Sequence, residues 1–392
     1  MTVPGSLTGI RVVELSTFIT APLAGMMLAD LGADVVKIEN PDGGDPFRSY
    51  GGGNYSAQYC SYNRNKRSVA VSLRTDVGRA ALEALVRRSD VLLDNFRHGV
   101  LDRLGFPSQR LREMNPALIH CSITGFGAEG PYAARPCFDS IAQGLSGMYS
   151  QFLDPENPRL TGTTVADNVT GQYAAYGILS ALYERERTGV ARRVEVNMLE
   201  ATMAFMPEPF GYLTQNGETS DAYLRIRNSL AFAFRCLDGK LVVTHMSSRQ
   251  KFFEQFAELI GHPELIGDPR FATLEQRVVN YEPLRAIAAA AFATKGRAEW
   301  LLRFESADIP ISAISEIADV MADPQVRSLD SFYPLVHPEK GTLTGIRRPV
   351  RFDGRRDDQA AVAPPMLGEH TAEVLRELGL AEPQTTASGA QP

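Results

Sequence analysis

Cysteine, histidine and tryptophan are sparse in this chain, numbering four, six and one among 392 residues. Cys60, Cys121, Cys137 and Cys236 lie far apart without CxxC spacing, and the histidines form no HxH or HExxH pattern. Neither disulfides nor a metal site is expected, and the cysteines read as small apolar core residues. No stretch reaches the roughly 18 uninterrupted apolar residues of a membrane span. The opening Met1-Thr2-Val3-Pro4-Gly5-Ser6 lacks the charged-then-apolar pattern of a signal peptide. A cytoplasmic location away from membranes is the expectation. Positive charge is also short, with 40 Lys and Arg against 46 Asp and Glu for a net charge of -6. Such a balance argues against a general nucleic-acid or membrane-surface binder, so any anionic ligand must be met by local basic groups. Gly9 and Gly25 are not arranged as GxGxxG, and there is no GxxxxGK[ST] loop, which leaves nicotinamide, flavin and ATP unsupported.

What is present is an alternation of short β-branched runs with helical segments, the pattern of a parallel sheet covered by helices. Strands are expected at residues 10–15, 35–38, 69–73, 91–93 and 118–123. Thr20 is placed to cap a first helix with Pro22 in its first turn, and Gly32 stops it. A second helix is expected at 77–88 and a long one at 173–187 ended by Gly189, before a strand at 193–197 and a helix from Leu199. The succession is Rossmann-like. After a polar stretch at 214–227, residues 231–237 and 241–245 read as a hairpin closed by Asp238-Gly239, followed by helices at 250–260, 281–292 and 297–305. The fold class expected is α/β. A large Rossmann-like domain over 1–213 is completed by 324–382, 214–323 forms a linker and a smaller α+β domain, and the tail at 383–392 is expected to be disordered.

Few polar residues stand in special local settings. Asp167, in Ala166-Asp167-Asn168-Val169-Thr170-Gly171, falls immediately before the long helix, where free N–H groups and the helix dipole stabilise negative charge. A carboxylate there can attack an activated acyl group, and neighbouring N–H donors can hold the developing oxyanion. An aspartate in this place also serves as a plain helix cap, and local sequence does not separate the two roles. Asp139, in Arg135-Pro136-Cys137-Phe138-Asp139, is open to the same two readings. Arg64, Lys66 and Arg67, with Arg74 beyond them, can contact phosphates or form a solvated cluster.

Taken together, these stretches resemble family III CoA-transferases, the group that includes formyl-CoA:oxalate and carnitine-type CoA-transferases and the related α-methylacyl-CoA racemases. The likeness runs from about Leu7 to Leu380. It is carried by LTGIRVVELSTFITAPLAGMMLADLGADVVKIENPDGGDPFR, Asn65-Lys66-Arg67-Ser68, DVLLDNFRHGVLDRLG, NPALIHCSITGFGAEGPY, RPCFDSIAQGLSG and RRVEVNMLEA, in that order. The resemblance implies a large Rossmann-like domain, a small domain, and a homodimer of two chains interlocked like rings. It implies that Asp167 is the catalytic nucleophile, with Asp139 and Phe138 as auxiliary groups beside the substrate. It also places the CoA site at Ile19, Thr20, Val71, Ser72, Leu73, Arg74, Asn95, Phe96, Arg97, Arg103, Pro136 and Cys137. No permanently bound cofactor and no metal are implied, because the coenzyme A thioester is itself the substrate and the second substrate is a carboxylic acid.

Two departures from the family pattern bear on chemistry. Ile19 stands where oxalate-using members carry glutamine, and residues 231–239 lack their glycine-rich loop, which points to an acid larger or less polar than oxalate or formate. Phe138 stands where the racemases carry a histidine, and a phenyl ring accepts no proton. Transfer of CoA between acids is therefore the expectation, ahead of an acyl-CoA racemase or isomerase and of a non-catalytic CoA-binding protein.

Overall fold

The computed structural model describes residues 5–247, 249–356 and 361–380. The described residues fall into two compact units: those within 1–148, 162–207 and 330–392 form the first, and those within 149–161 and 208–329 the second. Residues 149–161, 208–213 and 324–329, expected from sequence in the large domain, thus cluster with the second unit. The tail expected to be disordered lies outside the described residues.

The first unit is built on six strands: β1 (Arg11–Leu15), β2 (Asp34–Glu39), β3 (Lys66–Ala70), β4 (Val91–Asp94), β5 (Ile119–Thr124) and β6 (Arg193–Asn197). They pair in parallel in the order β3-β2-β1-β4-β5-β6. Near-continuous Val, Ile and Leu in β1, β2 and β4 match strands buried on both faces. One face packs Val12, Val35, Leu93 and Cys121 with residues of α1 (Thr20–Ala29) and, later in the chain, the long helix Val165–Thr188. The opposite face packs Val13, Val36 and Leu92 with Leu82 and Leu85 of the helix Asp76–Val86 and with Val374 and Leu375. The chain order reverses between β1 and β4, so the connections leaving those two strands diverge and leave a crevice at the strands' carboxyl ends.

Several local expectations are corrected. Thr20 is the first helical residue and makes no cap: the N-cap is Ile19, and the Thr20 hydroxyl instead accepts from Asn95 Nδ2 at 3.0 Å. The third strand runs three residues earlier than expected, because Lys66 and Arg67 carry partners that let charged residues enter the sheet. Lys66 is buried against Glu14 at 2.9 Å, and Arg67 pairs with Asp34 and Glu377. Arg64 is paired with Asp30. These three residues therefore form neither a solvated cluster nor a phosphate site. Cys60 and Cys137 are only half-buried, whereas Cys121 and Cys236 are core residues as expected.

The second unit contains the expected hairpin, β7 (Ala231–Arg235) with β8 (Leu241–His245), and a short third strand β9 (Ile311–Ala313) that the sequence reading missed. Its core is aromatic. Phe234 stacks on Phe292 with ring centroids 4.4 Å apart, and Trp300 lies beside Phe292 with its indole N–H donated to the Phe292 carbonyl. No described helix is long and apolar enough to cross a membrane.

Candidate active site

A cavity of about 360 Å³ opens at the crevice beyond β1 and β4. Its walls come from residues 17–20 after β1, residues 95–98 after β4, the end of β5, the Arg135 to Phe138 loop, and Asp167. A second cavity of about 480 Å³ adjoins residues 15–17 on the side of β2 and β3, and Val71, Ser72, Leu73 and Arg74 line it. The sequence candidates thus gather on two neighbouring cavities. Ile19, Thr20, Asn95, Arg97, Cys137, Phe138 and Asp167 line the first, and Phe96 lines both. Pro136, Asp139 and Arg103 line neither: Arg103 is exposed at the end of the four-residue helix Val100–Arg103.

Asp167 lies inside the long helix, which starts at Val165, eight residues before the expected start. The stretch Thr163 to Gly171 is too rich in Thr, Asn and Gly to carry an apolar period, so its two helical turns escape pattern reading. As a first-turn residue Asp167 still faces the positive end of the helix dipole. Its own N–H is not free for an oxyanion, because it donates to Asp139 Oδ1 at 3.2 Å, and the Asn168 N–H donates to the Thr164 carbonyl. Asp139, in the first turn of the helix Asp139–Leu145, therefore caps a helix other than its own. Its other oxygen accepts from Gln143 Nε2 at 2.5 Å. Burial pushes the Asp167 carboxyl up to about 7, and the neighbouring Asp139 charge adds to the rise. Such a carboxylate is more basic and less solvated than one in water, two properties of a stronger nucleophile. Burial, with Asp167 and Asp139 nearby, pushes the Cys137 thiol up to about 11, so the only cysteine on the cavity is a poor thiolate source.

The walls are held from behind. Asn95 accepts from the Thr17 N–H at 3.1 Å and donates to the Thr17 carbonyl at 2.7 Å and the Thr20 hydroxyl. Both of its amide hydrogens are thus spent on bracing the loop. The Asn95 side chain thus braces the loop from the cavity wall. Gly171 stands one helical turn beyond Asp167, and a Cβ there would lie 2.6 Å from the Thr20 carbonyl oxygen. Only glycine lets the Thr20 backbone pass this close to the Asp167 helix. Phe18 has φ of 64°, a left-handed conformation costly for an aromatic residue, and its ring meets Phe47 and Phe138 edge-on. Phe138 is 60% exposed at the rim. Sequence reasoning missed Phe18, Gly171 and Asp45, which accepts the Phe18 N–H at 3.2 Å; positive φ and close approach leave no pattern in a single sequence.

A parallel sheet with a part-buried carboxylate on the cavity at its switch point defines an α/β protein with a candidate ligand site at the carboxyl ends of its strands. The chain belongs to CoA-transferase family III, which it matches over residues 7–371. It is 34% identical to a succinate–glutarate CoA-transferase of Agrobacterium fabrum, over 97% of each chain. It is 33% identical to an acetyl-CoA:oxalate CoA-transferase of Acetobacter aceti, over 96% of this chain and 97% of that one. Among solved structures it is similar to a CAIB/BAIF family protein from Brucella suis, with a TM-score of 0.85 and 32% identity over 96% of this chain and all of that one.

Proposed function

We propose that this enzyme moves coenzyme A from an acyl-CoA donor to a carboxylic acid acceptor, with Asp167 as the covalent nucleophile. The observation that carries the reading is the Asp167 carboxyl, lifted to about 7 by burial and by Asp139 at the head of a helix on the crevice cavity. Ionised Asp167 attacks the donor thioester carbonyl, forming a mixed anhydride and expelling CoA thiolate. The thiolate attacks the aspartyl carbonyl of the anhydride, releasing the donor acid and leaving an aspartyl-CoA thioester. The acceptor carboxylate then attacks that thioester, and the freed thiolate takes the acceptor's acyl carbon, restoring Asp167. Each step exchanges one acyl bond for another, so the thioester free energy is conserved while water is kept from the anhydride.

Residues 71–74 and 95–97 fit the CoA chain across the two neighbouring cavities, with Arg74 and Arg97 available for phosphate oxygens. Both guanidinium groups lack an ion-pair partner among the described side chains. Arg103 serves the same end only at the outer surface. Asp139 orients the first turn carrying Asp167 and raises its basicity. The first unit is assigned to CoA binding, and the protein to the cytoplasm as a homodimer of interlocked chains. Exposed Tyr176 and Tyr183, seven residues apart on one face of the long helix, support the dimer as surface suited to burial. The acceptor is an acid bulkier or less polar than oxalate, in keeping with Ile19 and Phe138 on the cavity wall.

Purified protein incubated with succinyl-CoA and a panel of dicarboxylic, branched and aromatic acids, with mass detection of the products, tests this reading. Appearance of a new acyl-CoA supports it. Deuterium uptake at the α-carbon without transfer points to a racemase, and binding without turnover to a non-catalytic protein.

A further inference from the structure

Directly behind the loop of residues 16–20 lies a set of charges closed off from water. Glu14, Lys37, Lys66 and Asp45 are each at most 1% exposed. Lys37 Nζ meets Glu14 Oε1 at 3.0 Å and Asp45 Oδ2 at 3.1 Å, and Lys66 Nζ meets Glu14 Oε2 at 2.9 Å. Two cations and two anions balance, so the set is neutral as a whole. Buried ion pairs are weak contributors to stability, because desolvation cancels most of their attraction. Their contacts with the main chain suggest what else they do. Lys37 donates to the Ser16 carbonyl at 2.9 Å, Lys66 to the Pro22 carbonyl at 2.8 Å, and Asp45 accepts the Phe18 N–H. These three bonds bracket the one residue of the cavity wall whose backbone is left-handed.

Resting on the assignment of Asp167 as nucleophile, we propose that Asp45 is a positioning residue for acyl transfer. It tethers Phe18 in its left-handed conformation, and so fixes the wall that Phe18, Ile19 and Thr20 share with Asp167. Lys37 holds Asp45 in register, since its ammonium joins the Asp45 and Glu14 carboxylates to the Ser16 carbonyl. Asp45 also accepts the Phe47 N–H at 3.0 Å, which places beside Phe18 the ring on which it packs. Without the tether, an aromatic residue relaxes toward negative φ and carries Ile19 with it.

A double-mutant cycle tests the proposal. Asp45→Ala is expected to lower kcat about ten-fold, the scale of a strained backbone released, with KM for acyl-CoA changed by less than about three-fold. In a Phe18→Gly background, where positive φ needs no tether, the same substitution is expected to lower kcat by about three-fold or less. A residue that merely stabilises the fold gives equal penalties in both backgrounds, and that result overturns the proposal. If Asp45→Ala does not fold, the cycle is run with Asp45→Asn. Its amide keeps the volume but must set a donor against either the Phe18 N–H or the Lys37 ammonium, so the same coupling is expected at smaller amplitude. Asp167→Asn, assayed alongside, separates the two claims. An inactive Asp167→Asn with an additive cycle removes only the role of Asp45, whereas a fully active Asp167→Asn removes the nucleophile.

Discussion

At the scale of single residues, the charge state of Asp167 links activity and stability. Its carboxyl titrates near 3.8 when exposed and near 7 in the fold, so between these values the unfolded chain gives up the proton first. Stability therefore falls as pH rises across that window and stays lower above it. Asp167→Asn removes the penalty while keeping the side chain's size. Its melting temperature is expected to exceed that of the wild type at about pH 8, with the gap closing toward about pH 4, as scanning calorimetry at both values would show. In the proposed mechanism activity moves the other way, because only the ionised carboxylate attacks. kcat/KM should rise with pH through about 7, and Asp139→Asn should move the inflection lower by removing a neighbouring charge. Arg74→Ala is expected to raise KM for acyl-CoA several-fold with kcat nearly kept, since a phosphate contact acts in ground and transition states alike.

At the scale of elements, the close crossing at Gly171 controls how the Thr20 loop meets the Asp167 helix. A methyl group 2.6 Å from the Thr20 carbonyl has no flexible side chain to displace, so a main-chain segment must shift. Gly171→Ala is expected to cost about 1–3 kcal/mol in a denaturant titration, with kcat lowered more than acyl-CoA affinity. The elements also show what a single sequence discloses. The apolar strands β1, β2 and β4 and the Asp238-Gly239 hairpin were legible, because buried parallel strands and tight turns leave strong local patterns. The start of the Asp167 helix was hidden, since its first turns are set by Asp139 from a distant segment and by packing at Gly171. β3 was misplaced because Lys66 reads as surface until Glu14, 52 residues away, is known to face it. Asp167 and Asp139 were legible as candidates, and the bond between them was not.

At the scale of the whole molecule, the proposed dimer and the proposed reaction are tested separately. Light scattering at micromolar concentration should give twice the chain mass, and dilution should not release an active monomer, because interlocked chains separate only by unfolding. An active monomer would exclude interlocking and leave the chemistry at Asp167 standing. That chemistry is tested most directly by trapping. The wild-type enzyme is incubated with acyl-CoA, quenched with hydroxylamine or borohydride, digested and mapped by mass spectrometry. Both reagents capture activated carboxyl groups, so the modification should fall on Asp167, should require acyl-CoA, and should persist in Asp139→Asn. Modification at Asp139 instead, or none at any carboxylate while the enzyme turns over, would contradict the account.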